Sequence, residues 1–312
     1  RIPLSNLVFF TRQLATMYSA GLTLERAIQG LASEERHPKL KKVLTNVGEN
    51  IRKGLSLSEA LQRHPGVFST LFVSLTKAGE VSGNLDEILD ELATYLENLD
   101  DVRRKVRSAM TYPIFMVVFL FAMMSAMFMW IIPMFSDVYV QLGANLPEAT
   151  RRLVSLSEWI SINFNSIVFS SFGFIGALWL ISKTQRGGYI VDSIKLKVPV
   201  FGSLLNQSIL NKFSKTAGIL LNAGVPVIES MNLIGKIVSN RVYEVAIGNA
   251  TEYIRDGFNI TSALRRTEIF PPILLQLTAT GEETGELDSL LDRTAEYYYK
   301  QVNALVERMT TL

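Results

Sequence analysis

The feature that most constrains this chain is that much of it is written twice. Phe10-Thr-Arg-Gln-Leu-Ala-Thr-Met-Tyr-Ser-Ala-Gly21 aligns with Phe213-Ser-Lys-Thr-Ala-Gly-Ile-Leu-Leu-Asn-Ala-Gly224 at an offset of 203. At that offset Asn46, Ile51, Arg52, Gly54, Ala60 and Leu61 meet Asn249, Ile254, Arg255, Gly257, Ala263 and Leu264. One deletion near Pro65 shifts the offset to 202. Phe68 then meets Phe270, and Gly79-Glu80-Val-Ser-Gly83-Asn-Leu85-Asp86 meets Gly281-Glu282-Glu-Thr-Gly285-Glu-Leu287-Asp288. Leu89, Asp90, Ala93 and Tyr95 meet Leu291, Asp292, Ala295 and Tyr297. So many matches in one order, with one gap, mark a duplication. Whatever one copy folds into, the other folds into as well.

Each copy reads as six helices. In the first, a helix over about Leu4–Ala20 is closed by Gly21 as a left-handed cap. Thr23 caps the next, Leu24–Ala32, and Pro226 at the matching place in copy two suits a first helical turn. A third, Pro38–Lys53, ends at Gly54, and Ser56-Leu-Ser-Glu59 is a capping box for a short fourth. Phe68–Ala78 is the fifth, with Gly79 expected to end it. Asn84 opens the sixth, with Glu87 placed to complete its cap, and Leu85, Ile88, Leu89, Leu92, Leu96 and Leu99 form its apolar stripe. No breaker precedes Pro113, so this helix is expected to continue without interruption.

Between the copies the composition changes. The chain is 48% hydrophobic yet 19% charged, which suits water-facing domains joined to a few membrane spans. Ser108 to Ser136 holds no charged residue, and its core Ile114–Ile132 is long enough, at about 1.5 Å per residue, to cross a hydrocarbon layer about 30 Å thick. Pro113 and Pro133 sit near its two ends, and Trp130 suits the far interface. Its methionines, Met116, Met123, Met124, Met127 and Met129, read as lipid-facing or adaptable packing. Trp159 to Ser182 is a second uncharged window, with Gly173 and Gly176 allowing close helix approach.

The segment between the windows carries only Arg151 and Arg152 as basic residues. The outer flanks carry Arg103, Arg104, Lys105, Arg107, Lys183, Arg186, Lys195 and Lys197. The positive-inside rule puts both copies in the cytoplasm. The expected organisation is a first cytoplasmic bundle 1–108, a transmembrane helix 109–136, a short external loop 137–158, a second transmembrane helix 159–182 and a second cytoplasmic bundle 183–312.

Several chemistries are not expected. There is no cysteine, so no disulfide, thiolate metal site or thiol nucleophile. A net charge of +2 gives no nucleic-acid signature. No GxxxxGK[ST] or GxSxG occurs, and His37 and His64 each precede or adjoin proline in expected loops, poor evidence for a metal. The chain reads as no enzyme, with no cofactor. The sharpest functional candidates are the two Gly-Glu-x-x-Gly loops: Gly79, Glu80 and Gly83, and Gly281, Glu282 and Gly285. Three readings of them stand: helix ends with the glutamate charge near the next helix N-terminus, a partner contact, or a carboxylate cation site with Asp86 or Asp288. A basic run in copy one, Lys39, Lys41 and Lys42, reads either as a solvated face or as an electrostatic docking surface.

A duplicated helical domain with Phe10-Thr-Arg-Gln-Leu-Ala near its start and Gly79-Glu-Val-Ser-Gly83-Asn-Leu near its end resembles the type II secretion system F protein family, and within it the inner-membrane platforms of type IV pilus assembly. The resemblance covers nearly the whole chain. It implies an all-α protein whose two homologous six-helix bundles are joined by transmembrane helices. It also implies an N-terminal extension and a third span. Position 107 maps to position 309, so that span would begin where the chain stops at Leu312. The partners it implies are a cytoplasmic hexameric pilus or secretion ATPase, pilin or pseudopilin subunits, other inner-membrane assembly proteins, the lipid bilayer and further copies of the chain. The role it implies is to couple that ATPase to insertion and extraction of pilin subunits. A secondary transporter is the alternative, since transporters also contain repeats. It fits less well, because here the repeated part is water-facing and the uncharged windows lack midplane charges.

Overall fold

The computed structural model describes residues 2–141, 147–199 and 201–310. Part of the expected external loop, 142–146, lies outside them. Among the described residues all regular structure is helical. Copy one is α1 (Leu4–Ser19), α2 (Leu24–Glu34), α3 (Pro38–Arg52), α4 (Leu57–Gln62), α5 (Thr70–Ser82) and α6 (Leu85–Ala126). A π-helical turn, Met127–Ile131, leads into α7 (Ile132–Gln141), followed by α8 (Glu148–Ser182) and α9 (Gln185–Lys197). Copy two is α10 (Phe201–Asn222), α11 (Val227–Ile237), α12 (Arg241–Arg255), α13 (Ile260–Arg265), α14 (Pro272–Thr284) and α15 (Leu287–Thr310). The bounds of α11, α12 and α13 exceed those of α2, α3 and α4 by 203 at both ends, and those of α14 exceed those of α5 by 202. The duplication is thus kept in the backbone of these four helices, while the first and last helices of the copies differ in length.

Local signals set most of these ends. The Thr23 side chain accepts from the Arg26 amide, and Ser56 and Glu59 complete their capping box at 3.2 and 3.0 Å. One helix start differs from the sequence reading. Pro226 stands at the N-cap position of α11, with no capping side-chain bond, rather than in its first turn. The sixth helix opens directly after Asn84 as expected, and the Asn84 side-chain amide oxygen accepts from the Ser82 hydroxyl.

Each copy closes on an aromatic centre. Phe10 lies 6.0 Å from Phe68, and Phe68 lies 5.1 Å from Phe72. Their counterparts Phe213 and Phe270 lie 5.0 Å apart, and the third ring is Tyr243, 5.8 Å from Phe270. Tyr243 matches Leu40, and Leu274 matches Phe72. The third ring has moved from α5 to α3 while a leucine made the opposite move. Compensating swaps of this kind keep core volume and are tolerated well.

The structure divides into two compact units. The first joins residues 1–106 to 192–309, so the two copies pack together. The second covers 107–191. The helix continuing from Leu85 to Ser136 is long and apolar enough to cross a membrane, and its apolar window is not buried at all. Phe115, Phe121 and Trp130 are 62%, 66% and 73% exposed, as lipid-facing side chains would be. Both prolines lie inside helix rather than at its ends: Pro113 within α6 and Pro133 at the second position of α7. Pro133 offers no amide to the Met129 carbonyl, and its ring crowds that oxygen. The π turn over Met127–Ile131 widens the backbone there and lets the helix continue. The Ser157 hydroxyl of α8 donates to the Phe128 carbonyl in the same turn.

Candidate functional site

The Gly-Glu-x-x-Gly segments do not end their helices at the first glycine. Gly79 and Gly281 lie inside α5 and α14, and neither has a positive φ. The left-handed caps are Gly83 (φ 80°) and Gly285 (φ 79°), whose amides close on the Gly79 and Gly281 carbonyls at 3.0 Å each. The first glycine serves close approach instead. A Cβ on Gly79 would stand 3.1 Å from Ile88 and from the Leu85 Cα, and one on Gly281 only 2.8 Å from the Leu287 Cα. The sequence reading placed the fifth helix end four residues early because two glycines four apart look alike without tertiary contacts.

The glutamates also serve a different helix from the one expected. Glu80 accepts from the Ser58 amide at 3.2 Å and from the Ser58 hydroxyl, at the start of α4. Glu282 accepts from the Ile260 amide, from the Thr261 amide at 2.9 Å and from the Thr261 hydroxyl, at the start of α13. Each carboxylate therefore satisfies orphan donors and meets the positive helix end of the preceding short helix, not of α6 or α15. The exposed position next in sequence differs between copies: Val81, 81% exposed, against Glu283.

Lys39, Lys41 and Lys42 are exposed at the start of α3. Lys41 Nζ donates to the Ser33 carbonyl at 3.0 Å, tying down the end of α2. Among the described residues none of the three forms an ion pair, and α3 has no acidic residue in its first turn. Cations at a helix N-terminus are unfavourable against the helix dipole, so local stability does not explain the run. Nearby on copy one, a groove of 670 Å³ is lined by Ser5, Asn6, Phe9, Glu35 and Arg36, with Phe9 61% exposed. The matching Lys212 of copy two is half-buried, with its ammonium donating to the Ile237 carbonyl.

His37 accepts the Leu40 amide as the cap of α3, and His64 Nε2 lies 2.8 Å from Asn46. Among the described residues no group of histidine, aspartate and glutamate is arranged to hold a metal ion.

The contact between the copies was missed by sequence reasoning. Thr216 donates to the Tyr95 hydroxyl at 3.2 Å, and Asn222 donates to Glu91 at 3.1 Å. Tyr299 donates to Asp101 and accepts from Lys105 at 2.8 Å, with that ammonium 4.6 Å from its ring centre. Burial pushes the Tyr95 hydroxyl up to about 12. Burial also raises the Glu91 carboxyl above its usual range, against the opposing Asn222 bond. One signal was available: Thr216 and Ile219 stand in copy two where Gln13 and Thr16 stand in copy one, so the two first helices carry different faces.

Comparison with known proteins places both copies in one family. The family described as type II secretion system (T2SS), protein F matches residues 10–133 and again 213–312. A type IV pilus assembly protein PilC of Thermus thermophilus is 37% identical over 98% of this chain and 76% of its own length. One of Myxococcus xanthus is 33% identical over 98% of this chain and 74% of its own length. A type II secretion system protein F of Aeromonas hydrophila is 35% identical over 94% of this chain and 75% of its own length. With the family matched once on each repeat, and relatives of this identity along nearly its full length, the chain belongs to the type II secretion system protein F family.

Proposed function

We propose that this chain is an inner-membrane platform of a type IV pilus or type II secretion machine, coupling a cytoplasmic assembly ATPase to insertion and extraction of pilin or pseudopilin subunits. The observation that carries this reading is family membership, together with the names of relatives in both pilus assembly and type II secretion. The uncharged, fully exposed helical window that follows copy one supports a membrane location. The packing of both copies in one unit supports a shared side of the membrane, and the basic flanks support the cytoplasmic side. In this reading ATP hydrolysis belongs to the partner, and the chain transmits motion between motor and membrane.

Affinity purification of the chain from native membranes tests the function: a pilus or secretion ATPase and pilins should co-purify. Their absence under cross-linking would reject the reading. Topology is tested separately. The chain has no cysteine, so single cysteines at Lys42, Lys236 and Ala144 report cleanly. An outside-only thiol reagent should reach Ala144→Cys alone. The ATPase contact belongs on copy one, where lysines that form no ion pair stand at the start of α3 near an open groove.

A further inference from the structure

The contact between the two copies leaves two matching faces unused. Copy two offers α10 to copy one's α6, through Thr216 to Tyr95 and Asn222 to Glu91. The repeat places the same two faces elsewhere on the chain. On α1, Gln13 and Ser19 stand where α10 has Thr216 and Asn222. On α15, Tyr297 and Arg293 stand where α6 has Tyr95 and Glu91. Had a twofold axis related the copies, Gln13 would meet Tyr297 within the chain, because a twofold contact uses each patch on both partners. The structure is otherwise: Tyr95 is 3% exposed while Tyr297 is 39% exposed. The other face shows the same asymmetry. Val225, which follows α10, is 8% exposed, while its counterpart Leu22 is 39% exposed. The intramolecular contact is therefore heterologous, and each chain carries one open half of it at each end.

We propose that copies of this chain associate head to tail, α1 of one chain seated on α15 of the next by the contact that already holds α10 on α6 within each chain. The chemistry at the open faces is complementary. Tyr297 can donate its hydroxyl proton to the Gln13 amide carbonyl, as Tyr95 and Thr216 share one. Arg293 can donate to the Ser19 hydroxyl where Asn222 donates to Glu91. Leu22 and Phe9 add exposed apolar surface beside the α1 face. A heterologous contact continues from chain to chain, so the product is a ring or a row and not a closed pair. This inference does not depend on the function proposed above.

The full chain, free of native cysteines, allows a direct test. Gln13→Cys and Tyr297→Cys chains are co-expressed with different tags and treated in membranes with a short bismaleimide. The expected product is a mixed dimer carrying both tags, and the double variant should give a ladder of higher oligomers. Ser19→Cys with Arg293→Cys is a second pair on exposed positions, so a folding failure in one pair does not decide the matter. Light scattering of the unmodified chain in detergent should show mass rising above a dimer with concentration, and Tyr297→Arg should lower it. A monomeric mass at every concentration would overturn the proposal. So would cross-links of each variant only to itself, which indicate a twofold contact.

Discussion

Copy one and copy two share the bounds of their four middle helices and differ in their exteriors. The shared parts are backbone devices: the close-approach glycines, the left-handed caps, and the glutamate that reaches back to cap a short helix. A charge tie between first and last helices also recurs, Arg12 with Asp90 in copy one and Lys215 with Asp292 in copy two. The differing parts include exposed positions of copy one: Phe9 against Lys212, Thr16 against Ile219, Val81 against Glu283. Duplication has preserved what holds the bundle together and released what each bundle touches. Positions that differ between copies are therefore better guides to partners than positions that agree, and the conserved-looking Gly-Glu-x-x-Gly segments are scaffolding first.

The glycine pair gives the largest expected effect. A side chain on Gly281 meets the Leu287 backbone, which cannot move aside, while one on Gly79 meets the Ile88 side chain as well as backbone at a longer distance. Overpacking of this kind costs about 1–3 kcal/mol. Gly281→Val should fall at the upper end of that range and Gly79→Val below it, by chemical denaturation of the full chain in detergent. Equal losses would mean that the two copies are less alike at this joint than their backbones suggest.

The capping glutamates come next. Glu282 holds two backbone amides and Glu80 one. Loss of a cap costs about 0.5–2 kcal/mol. Glu282→Ala should therefore destabilise by about 2 kcal/mol and Glu80→Ala by about 1 kcal/mol, read as shifts in unfolding midpoint. The reverse order would argue that Glu80 has a second role in copy one.

Helix α6 carries two carboxylates with opposite pH behaviour. The hydrogen bond from Arg12 holds Glu97 below its ordinary value of 4.5. Its contribution is present above that value and disappears as pH falls through the lower folded pKa. Burial raises Glu91 above 4.5, so its ionised form is penalised in the fold, and stability is lost as pH rises from 4.5 through the raised value. Glu97→Gln should thus weaken the chain at pH 7 and leave it unchanged well below pH 4.5. Glu91→Gln, which keeps an acceptor for Asn222, should strengthen it at pH 7. Melting curves across that window distinguish a bond inside copy one from a strained contact between copies.

The bundle was legible in the sequence because its determinants are local. Thr23, the Ser56–Glu59 box and Gly21 announce helix ends through their own chemistry, and the repeat allows each reading to be checked twice. The errors arose where the deciding contact was distant. Gly79 looks like a terminator until Leu85 and Ile88 are seen packed against it, and Glu80 points back 22 residues in sequence to Ser58. The π turn before Pro133 was equally hidden, since a proline in an apolar run is compatible with an end or with an accommodated interior. The copy–copy contact was harder to read for a further reason: it depends on how two bundles dock, which residue spacing within either one does not encode, and only the difference between Gln13 and Thr216 pointed to it.

The smallest stability effect should accompany the sharpest functional one. Lys39, Lys41 and Lys42 occupy the start of α3, where cations oppose the helix dipole at about 0.3–1 kcal/mol per charge in the first turn. Only Lys41 has a structural bond, to the Ser33 carbonyl. Reversing all three to Glu removes that bond and reverses the unfavourable charge, so the two changes offset each other. The unfolding midpoint should stay within about 0.5 kcal/mol of the parent, as for ordinary surface substitutions. If these lysines steer an acidic face of the ATPase, association should slow markedly, and its dependence on salt should flatten, because steering between exposed charges is screened within about 10 Å at 0.1 M salt. Surface plasmon resonance at several salt concentrations reads both quantities. Reversals at the nearby basic residues of copy two, Lys236 and Arg241, serve as the comparison and should leave association unchanged. Parent-like kinetics in the copy-one variant would remove the α3 surface as the motor contact and turn attention to the exposed Val81 beside the Glu80 cap.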